Sequence, residues 1–217
     1  MRFVPIKSIK RQDIQNLHRQ RELIRKSRKA LLSQVRGLLA DYGIVTIKGV
    51  AVLHRDLTCI LEDVDNKLSA LSRGLFTELY DDLLVIEARF KKFEERIITL
   101  NKENETCRRL IEVLGIGPII ASATYAEGGG GDGKNFVNGR HFSAWLGLAP
   151  GQHSTRGKPV LLGISKRGNS YLRSLYIHAA RAVLKYSARK SDRFSLWAQA
   201  LLARGVTIKL VWQSLTN

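Results

Sequence analysis

The sequence predicts a mainly α protein in which a long helical arm of coiled-coil type is joined to a compact helical domain containing a helix-hairpin-helix. Three observations support this class. Apolar residues recur mostly at steps of three, four or seven over residues 14–38 and at steps of three or four over 61–100. A Gly-Ile-Gly-Pro turn lies between two helical patterns at 115–118. With 217 residues, 44% hydrophobic and 25% charged, the chain has the composition of a folded globular protein.

The first predicted element is a basic helix. Its apolar residues recur on one side, and Gly43 follows its end as a helix terminator. Residues 1–40 hold eleven Lys and Arg against Asp13 and Glu22. We therefore expect an amphipathic basic arm over 1–45, which either contacts a polyanion or presents an ordinary solvated face.

The second element is a long acidic helix, expected from about Leu57 to Asn104, with Gly74 as the position at which it bends or breaks. The predicted seam consists of Leu61, Val64, Leu68, Leu71, Leu75, Leu79, Leu83, Ile86, Phe90, Phe93, Ile97 and Leu100. Residues 56–105 carry twelve acids against seven Lys and Arg. This segment, within 46–106, is expected to contact protein, either in a homo-oligomer or in a helical hairpin of one chain.

A turn between two helices follows at Leu114–Pro118, with Pro118 at the first position of a helix that runs to Glu127. Gly115 and Gly117 would let the turn approach a phosphate, while the N-H groups at the start of the second helix face the anion. The pattern is that of a helix-hairpin-helix, although a turn between two packed helices has the same residues. Such a motif binds the nucleic-acid backbone without reading sequence.

The charge of the chain indicates its partner class. Thirty-six Lys and Arg against nineteen Asp and Glu give a net charge of +17, which attracts polyanions such as DNA or RNA. No apolar run reaches the length of a membrane span, and we expect a cytoplasmic protein without a membrane partner. Cys59, Cys107 and the five His follow no metal-binding spacing, so no metal site is predicted.

Residues 128–159 contain two loops with different interpretations. The glycine-rich run from Gly128 to Lys134 lacks the GK[ST] pair of a nucleotide-binding loop and is expected to be a flexible connector. Ser154 and Thr155 form a hydroxyl pair in a predicted polar loop that also carries Lys158. Ser154 is a candidate nucleophile, with His153 as a proton acceptor, although most loop serines only cap helices or bind water.

The next helix begins at Asn169 or Ser170 and directs Leu172, Leu175, Tyr176, Ala179 and Val183 inward. Lys166, Arg167 and Arg173 gather around its start. This arrangement of cations suits a phosphate better than a protein partner. Residues 151–209 are basic as a whole, with twelve Lys and Arg against Asp192.

Four motifs occur in order over about residues 107–205, namely LGIGP, NGRHFSAWLGLAP, QHSTRGKPVLLGISKRGNSYLRSLYIHAARAVL and DRFSLWAQALLARG. Together they resemble the carboxy-terminal domain of transposases of the insertion-sequence 110 type. Residues 1–45 are similar to the stretch that joins the family's amino-terminal catalytic domain to its helical arm.

The resemblance implies an enzyme that cuts and joins DNA. In that family an amino-terminal RNase-H-like domain supplies acidic ligands for a divalent metal such as Mg²⁺, and a carboxy-terminal serine attacks the DNA phosphodiester. The resemblance places this serine at Ser154, with Thr155 as the fallback because the loop permits a shift of one residue. It also implies DNA and an element-encoded structured RNA as partners.

The sequence departs from the family at three places. The expected metal-binding domain has no counterpart in the chain, so no cofactor is expected within it. Arg156 stands where the family usually has glycine, and the resemblance stops after Gly205, which suggests a frameshifted tail over 206–217. We therefore interpret the chain as a transposase, truncated and inactive by itself; the alternative is a non-catalytic helix-hairpin-helix module that binds nucleic acid.

Overall fold

A computed structural model describes residues 6–128, 135–155 and 158–203, without the side chains of 154, 155, 158, 159, 161 and 201. Within these ranges the chain forms eight helices and one antiparallel two-stranded sheet, which confirms the mainly α class. The elements are α1 (Ile9–Asp41), α2 (Val50–Glu62), α3 (Ala70–Glu103), α4 (Glu105–Ile111), α5 (Pro118–Glu127), α6 (Gly139–Trp145), β1 (Pro150–Thr155), β2 (Lys158–Ile164), α7 (Ser170–Ser187) and α8 (Arg193–Ala203).

The chain divides into two compact units, which are described separately. The first, called the discontinuous unit, comprises Met1–Gln15 and Ile97–Asn217, and the second, called the arm unit, comprises Asn16–Arg96. No helix in the described ranges has both the length and the apolar character that crossing a membrane requires.

The arm unit is a packed assembly of α1, α2 and α3. Its core takes Val35 and Leu39 from α1, Leu57 from α2 and Phe76 and Leu83 from α3, each at most 1% exposed. Burying an apolar side chain of this size contributes about 1.5–3 kcal/mol. The apolar residues of the arm therefore pack within one chain, as in the helical-hairpin alternative.

Charge pairs connect α1 to α3 in the arm unit. Arg21 lies 2.5 Å from Glu94, and Arg28 lies 3.0 Å from Glu87. Both guanidinium groups also stand over the ring of Phe90, at 4.9 and 5.3 Å from its centroid. Part of the basic charge of α1 is thus engaged by the acidic α3 rather than left for a polyanion.

The predicted continuous helix from Leu57 to Asn104 is wrong in one respect, since α2 ends at Glu62 and α3 begins at Ala70. The side chain of Asn66 stabilises the non-helical segment between α2 and α3. Its Nδ2 donates to the carbonyl of Ile60 at 2.6 Å, and its Oδ1 accepts from the N-H of Leu68 at 3.2 Å. Side chains of this type satisfy backbone groups locally and compete with the helix. Gly74, the expected weak point, lies inside α3.

The break also changes which residues face inward. Leu71 is 86% exposed and Leu75 is 45% exposed, whereas Phe76 is 1% exposed and fills the core position. The predicted seam was therefore wrong for the first turns of α3. The seam is right at Leu83 and Ile97, which are buried. A heptad register holds only within a continuous helix, and both residues lie inside α3, beyond the break.

The discontinuous unit has its main core between α5, α6 and α7. Ile120, Leu146, Leu148, Leu172 and Tyr176 are buried together there. A buried hydrogen bond of 2.9 Å joins the Tyr176 hydroxyl to Thr124 Oγ1, and burial raises the pKa of Tyr176. The expected inward face of the 170–187 helix is confirmed by Leu172 and Tyr176.

Three residues predicted to mark the ends of helices are confirmed in that role. Gly43 follows the end of α1 with a φ of +78°, and Pro118 opens α5. Asn169 is the N-cap of α7, and its side chain accepts from the N-H groups of Tyr171 and Leu172 at 2.9 and 3.2 Å. The expected connector at 129–134, Arg156 and the tail at 206–217 lie outside the described residues.

Candidate nucleic-acid interface

Ser154 lies on a β-hairpin and not in the polar loop that the sequence suggested. β1 pairs antiparallel with β2, with Ser154 opposite Pro159 and Thr155 opposite Lys158. These are the last described pairs before the connection between the strands. The candidate serine is therefore close to the tip of the hairpin, and Thr155 follows it by one position.

His153 precedes Ser154 on β1, and its role as a proton acceptor stays a prediction. Its partner across the hairpin is Val160, which is 52% exposed. His153 is itself exposed. The imidazole therefore lies on an accessible part of the hairpin.

Two backbone hydrogen bonds close the base of the hairpin. The N-H of Ser165 donates to the carbonyl of Ala149 at 2.8 Å, and the N-H of Lys166 donates to the carbonyl of Gly147 at 3.0 Å. These bonds join the segment that enters β1 to the segment that leaves β2. We call segments 145–149 and 165–168 together the hairpin base.

The two segments of the hairpin base approach each other closely at two glycines, and we call this contact the interlock. Gly147 has a φ of +74°, and a Cβ added there would stand 1.7 Å from the carbonyl oxygen of Arg167. A Cβ on Gly168 would stand 2.2 Å from the carbonyl oxygen of Trp145. Both glycines therefore permit a backbone contact that any larger residue would prevent.

Arg173 joins the two segments of the hairpin base by hydrogen bonds. Its Nη1 donates to the carbonyl oxygens of Leu146 and Arg167, both at 3.2 Å. The side chain is half-buried on the first turns of α7. Arg173 was predicted together with Lys166 and Arg167 as a phosphate-binding cation. The structure shows that it also hydrogen-bonds to two backbone carbonyls, a role that the sequence did not indicate.

Lys166 and Arg167 remain exposed on the same segment. Lys166 has a φ of +55°, a left-handed backbone that a residue with a side chain rarely adopts. Its N-H bond to Gly147 belongs to the contacts that hold it there. The structure therefore presents these two cations from a fixed backbone beside the start of α7.

The turn between α4 and α5 has helices on both sides, as the sequence predicted, and its role in binding phosphate stays a prediction. Gly115 has a φ of +87°, and a Cβ there would meet Val183 Cγ2 at 2.6 Å. This glycine is thus required for packing against α7. Gly117 is the N-cap of α5, has open space around its Cα, and provides no side-chain cap.

Acidic residues are scarce around these cations. Asp192 is the single Asp or Glu in residues 135–203. Its carboxylate accepts from the N-H and the hydroxyl of Ser195, at 3.1 and 2.7 Å, and these bonds lower its pKa. It is engaged at the start of α8.

Comparison with known proteins identifies this region. Residues 107–195, all within the discontinuous unit, match the model of the family described as Transposase IS116/IS110/IS902. This segment is a transposase domain of that family.

Curated relatives extend the match of the transposase domain to most of the chain. A protein of Pseudomonas aeruginosa called "Probable family 20 transposase" is 44% identical over 94% of this chain. The "Transposase for insertion sequence element IS1111A" of Coxiella burnetii is 40% identical over 94% of the chain. The chain spans 60% of the length of the first relative and 56% of the second.

In the described part of the transposase domain, the His, Cys, Asp and Glu side chains do not form a cluster that could hold a metal ion. Across the described ranges, no three His, Cys, Asp or Glu side chains converge as a set that could hold a metal ion. Asp192, the single Asp or Glu in residues 135–203, accepts the hydrogen bonds of Ser195 at the start of α8. We therefore assign no metal-dependent step to the described residues.

Proposed function

We propose that this chain acts in DNA transposition as the part of an insertion-sequence transposase that binds the DNA backbone and presents a nucleophilic serine. The carrying observation is the position of Ser154 near the tip of a hairpin within residues 107–195, the segment matched by the transposase family model. Exposed Lys166 and Arg167 lie at the base of the same hairpin. Four strand residues, about 13 Å, separate Ser154 from the base of the hairpin, so these cations suit DNA phosphates a few nucleotides away from the scissile bond.

The proposed reaction is a phosphoryl transfer to the serine. The Oγ of Ser154 forms a bond to phosphorus, the bond from phosphorus to one DNA ester oxygen breaks, and the protein becomes covalently joined to one strand end. The serine proton passes to a base, and the leaving oxygen takes up a proton. Thr155 is the fallback nucleophile.

The hairpin base has a positioning role in this proposal. A two-stranded hairpin is marginally stable by itself, so its support decides where its tip lies. Here the support consists of the interlocked Gly147 and Gly168 and the bonds of Arg173 to two carbonyls. This arrangement fixes the end of the hairpin opposite to Ser154.

Two further partners belong to the proposal. A structured RNA is supported by the same excess of exposed cations, since phosphate contacts do not distinguish RNA from DNA. Self-association through the arm is supported by the exposed Leu71 and Leu75 on α3. The alternative function is a non-catalytic helix-hairpin-helix module that binds nucleic acid, and the helices α4 and α5 on either side of the Leu114–Pro118 turn support it.

DNA binding is tested with the purified chain and a short random-sequence duplex over a range of salt concentrations. Changing Lys166 and Arg167 together to Ala should weaken binding and reduce the salt slope by about 1 to 2. The matched control changes Lys26 and Lys29, two exposed cations of α1, to Ala. Absence of any salt-dependent DNA binding by the unaltered chain would contradict the proposed function.

A further inference from the structure

The exposed face of α7 is a second basic surface, separate from the hairpin base. We propose that it binds the phosphate backbone of duplex DNA, an inference that rests on the proposed function and extends it to a defined helix face. We call this surface the α7 stripe; it consists of Ser174, His178, Arg181, Lys185 and, just past the helix end, Arg189.

The stripe follows from helical spacing. Its members are separated by three or four residues, which places them along one side of a helix. All of them are exposed, whereas Leu172 and Tyr176 are buried on the opposite side of α7. The stripe is thus the outer surface of a helix whose inner surface is anchored in the core.

The end of the stripe is also held in place. Gln199 of α8 donates from Nε2 to the carbonyls of Ser187 and Lys190, at 2.6 and 3.0 Å. The N-H of Arg189 bonds to the carbonyl of Tyr186 at 3.1 Å. The backbone of the turn that carries Arg189 is therefore fixed relative to α7 and α8, and the three cations form an ordered row.

Within the described residues, the charge of the row is not paired with carboxylates. In the part of the chain that the structure describes, no carboxylate lies within salt-bridge distance of Arg181, Lys185 or Arg189. Asp192 is occupied by Ser195. This differs from α1, where Arg21 and Arg28 face carboxylates of α3.

Stabilisation of the helix dipole explains only part of this pattern. A cation near a helix C-terminus contributes about 0.3–1 kcal/mol, and Lys185 occupies the last turn of α7. Arg181 lies one turn before Lys185, outside the last turn of α7, where that effect has decayed. An uninterrupted row that begins in the middle of the helix therefore calls for an external anion.

Duplex DNA fits the dimensions of the row. From Arg181 to Arg189 the chain advances by about 12 Å along the helix axis. Over that length one DNA strand presents about three phosphates, one roughly every 3.4 Å along the DNA axis. The three cations can therefore contact successive phosphates of one strand, which gives binding without sequence readout.

The test compares the full chain with a variant in which Arg181, Lys185 and Arg189 are changed to Ala. All three side chains are exposed, and Ala favours helices, so circular dichroism and thermal unfolding should stay unchanged. A control variant changes Arg19, Lys26 and Lys29 of α1 to Ala and removes the same charge. Binding to a short duplex and to an RNA hairpin of equal length is measured against salt.

We expect the stripe variant to reduce the salt slope for duplex DNA by about 2 to 3 and the affinity by at least about tenfold, and the control by much less. An equal effect of both variants, or a larger loss for RNA than for DNA, would overturn the inference. If the Lys166 and Arg167 variant loses affinity while the stripe variant does not, the stripe fails and the proposed function stands. If the unaltered chain binds no DNA, both fail.

A second measurement does not depend on any substitution. Lysine acetylation with and without DNA should show protection of Lys185 and no protection of Lys26 or Lys29. Equal acetylation of Lys185 in both conditions would place the DNA contact elsewhere and overturn the inference.

Discussion

The side chain of Arg173 donates a hydrogen bond from Nη1 to the carbonyl oxygen of Leu146 at 3.2 Å, which joins α7 to the residue that ends α6. The same nitrogen reaches the carbonyl of Arg167 at 3.2 Å. A single guanidinium therefore holds together the two segments from which the Ser154 hairpin rises. This relationship gives Arg173 a structural role, and its contact with phosphate stays a prediction.

Arg173→Ala should therefore destabilise the chain. It removes a charged donor from two carbonyls, and the expected loss is about 1–3 kcal/mol in the free energy of unfolding. Arg173→Lys keeps a cationic donor and should recover part of the loss. Urea unfolding measures both, with Arg167→Ala, an exposed cation of the same segment, as the control. A stable Arg173→Ala protein that loses only DNA affinity would return Arg173 to the phosphate site.

Gly147→Ala should be among the most destabilising changes in the hairpin base. The added methyl group meets the Arg167 carbonyl, and the backbone already has a φ of +74°. Strain of this kind costs about 1–3 kcal/mol before the clash is included. Gly163→Ala on β2 is the matched control, because no atom lies within 4 Å of a Cβ there. Equal thermal stability of the two variants would show that the close contact between Gly147 and the Arg167 carbonyl is absent in solution.

The two cysteines should differ strongly in reactivity. Cys107 is 1% exposed, and burial raises the pKa of its thiol from 9.0 to about 11, whereas Cys59 is exposed. At pH 8 only about one Cys107 thiol in a thousand is ionised. Alkylation with iodoacetamide followed by mass spectrometry should modify Cys59 first. Equal rates in the folded protein would contradict the burial of Cys107; the urea-unfolded chain is the control, in which both thiols react.

The same raised pKa predicts a dependence of stability on pH. Burial favours the neutral thiol, so its contribution is full below pH 9 and is lost as the pH rises towards 11. The loss should reach at most about 2 kcal/mol. Cys107→Ala should remove this component, so unfolding of the two proteins is compared across that range. A pH profile unchanged by the substitution would show that the thiol does not contribute.

The sequence predicted the features that depend on local chemistry. Pro118 at the start of α5, the Asn169 cap and the glycine after α1 each act within a few residues of themselves, so their effect is visible in the pattern. The inward face of α7 was also predictable, because Leu172 and Tyr176 keep helical spacing inside one unbroken helix.

The features that were missed depend on contacts between distant residues. Arg173 bonds to a carbonyl 27 residues away, and no local signal marks that partner. The break held by Asn66 shifted the register of the seam, so Phe76 and not Leu75 fills the core. The hairpin was predicted as a polar loop, because its pairing joins residues as far apart as Pro150 and Ile164 and no local signal marks these partners.

The proposed role of Ser154 as the nucleophile is tested most directly by trapping a covalent bond between the protein and DNA. The chain is joined to the part of the Pseudomonas aeruginosa relative that the alignment leaves uncovered, and incubated with supercoiled donor DNA, Mg²⁺ and element RNA. We predict a protein-DNA adduct that is lost in Ser154→Ala and kept in Thr155→Ala. An adduct that survives Ser154→Ala and disappears in Thr155→Ala, or DNA cleavage that never joins DNA to the protein, would contradict the account.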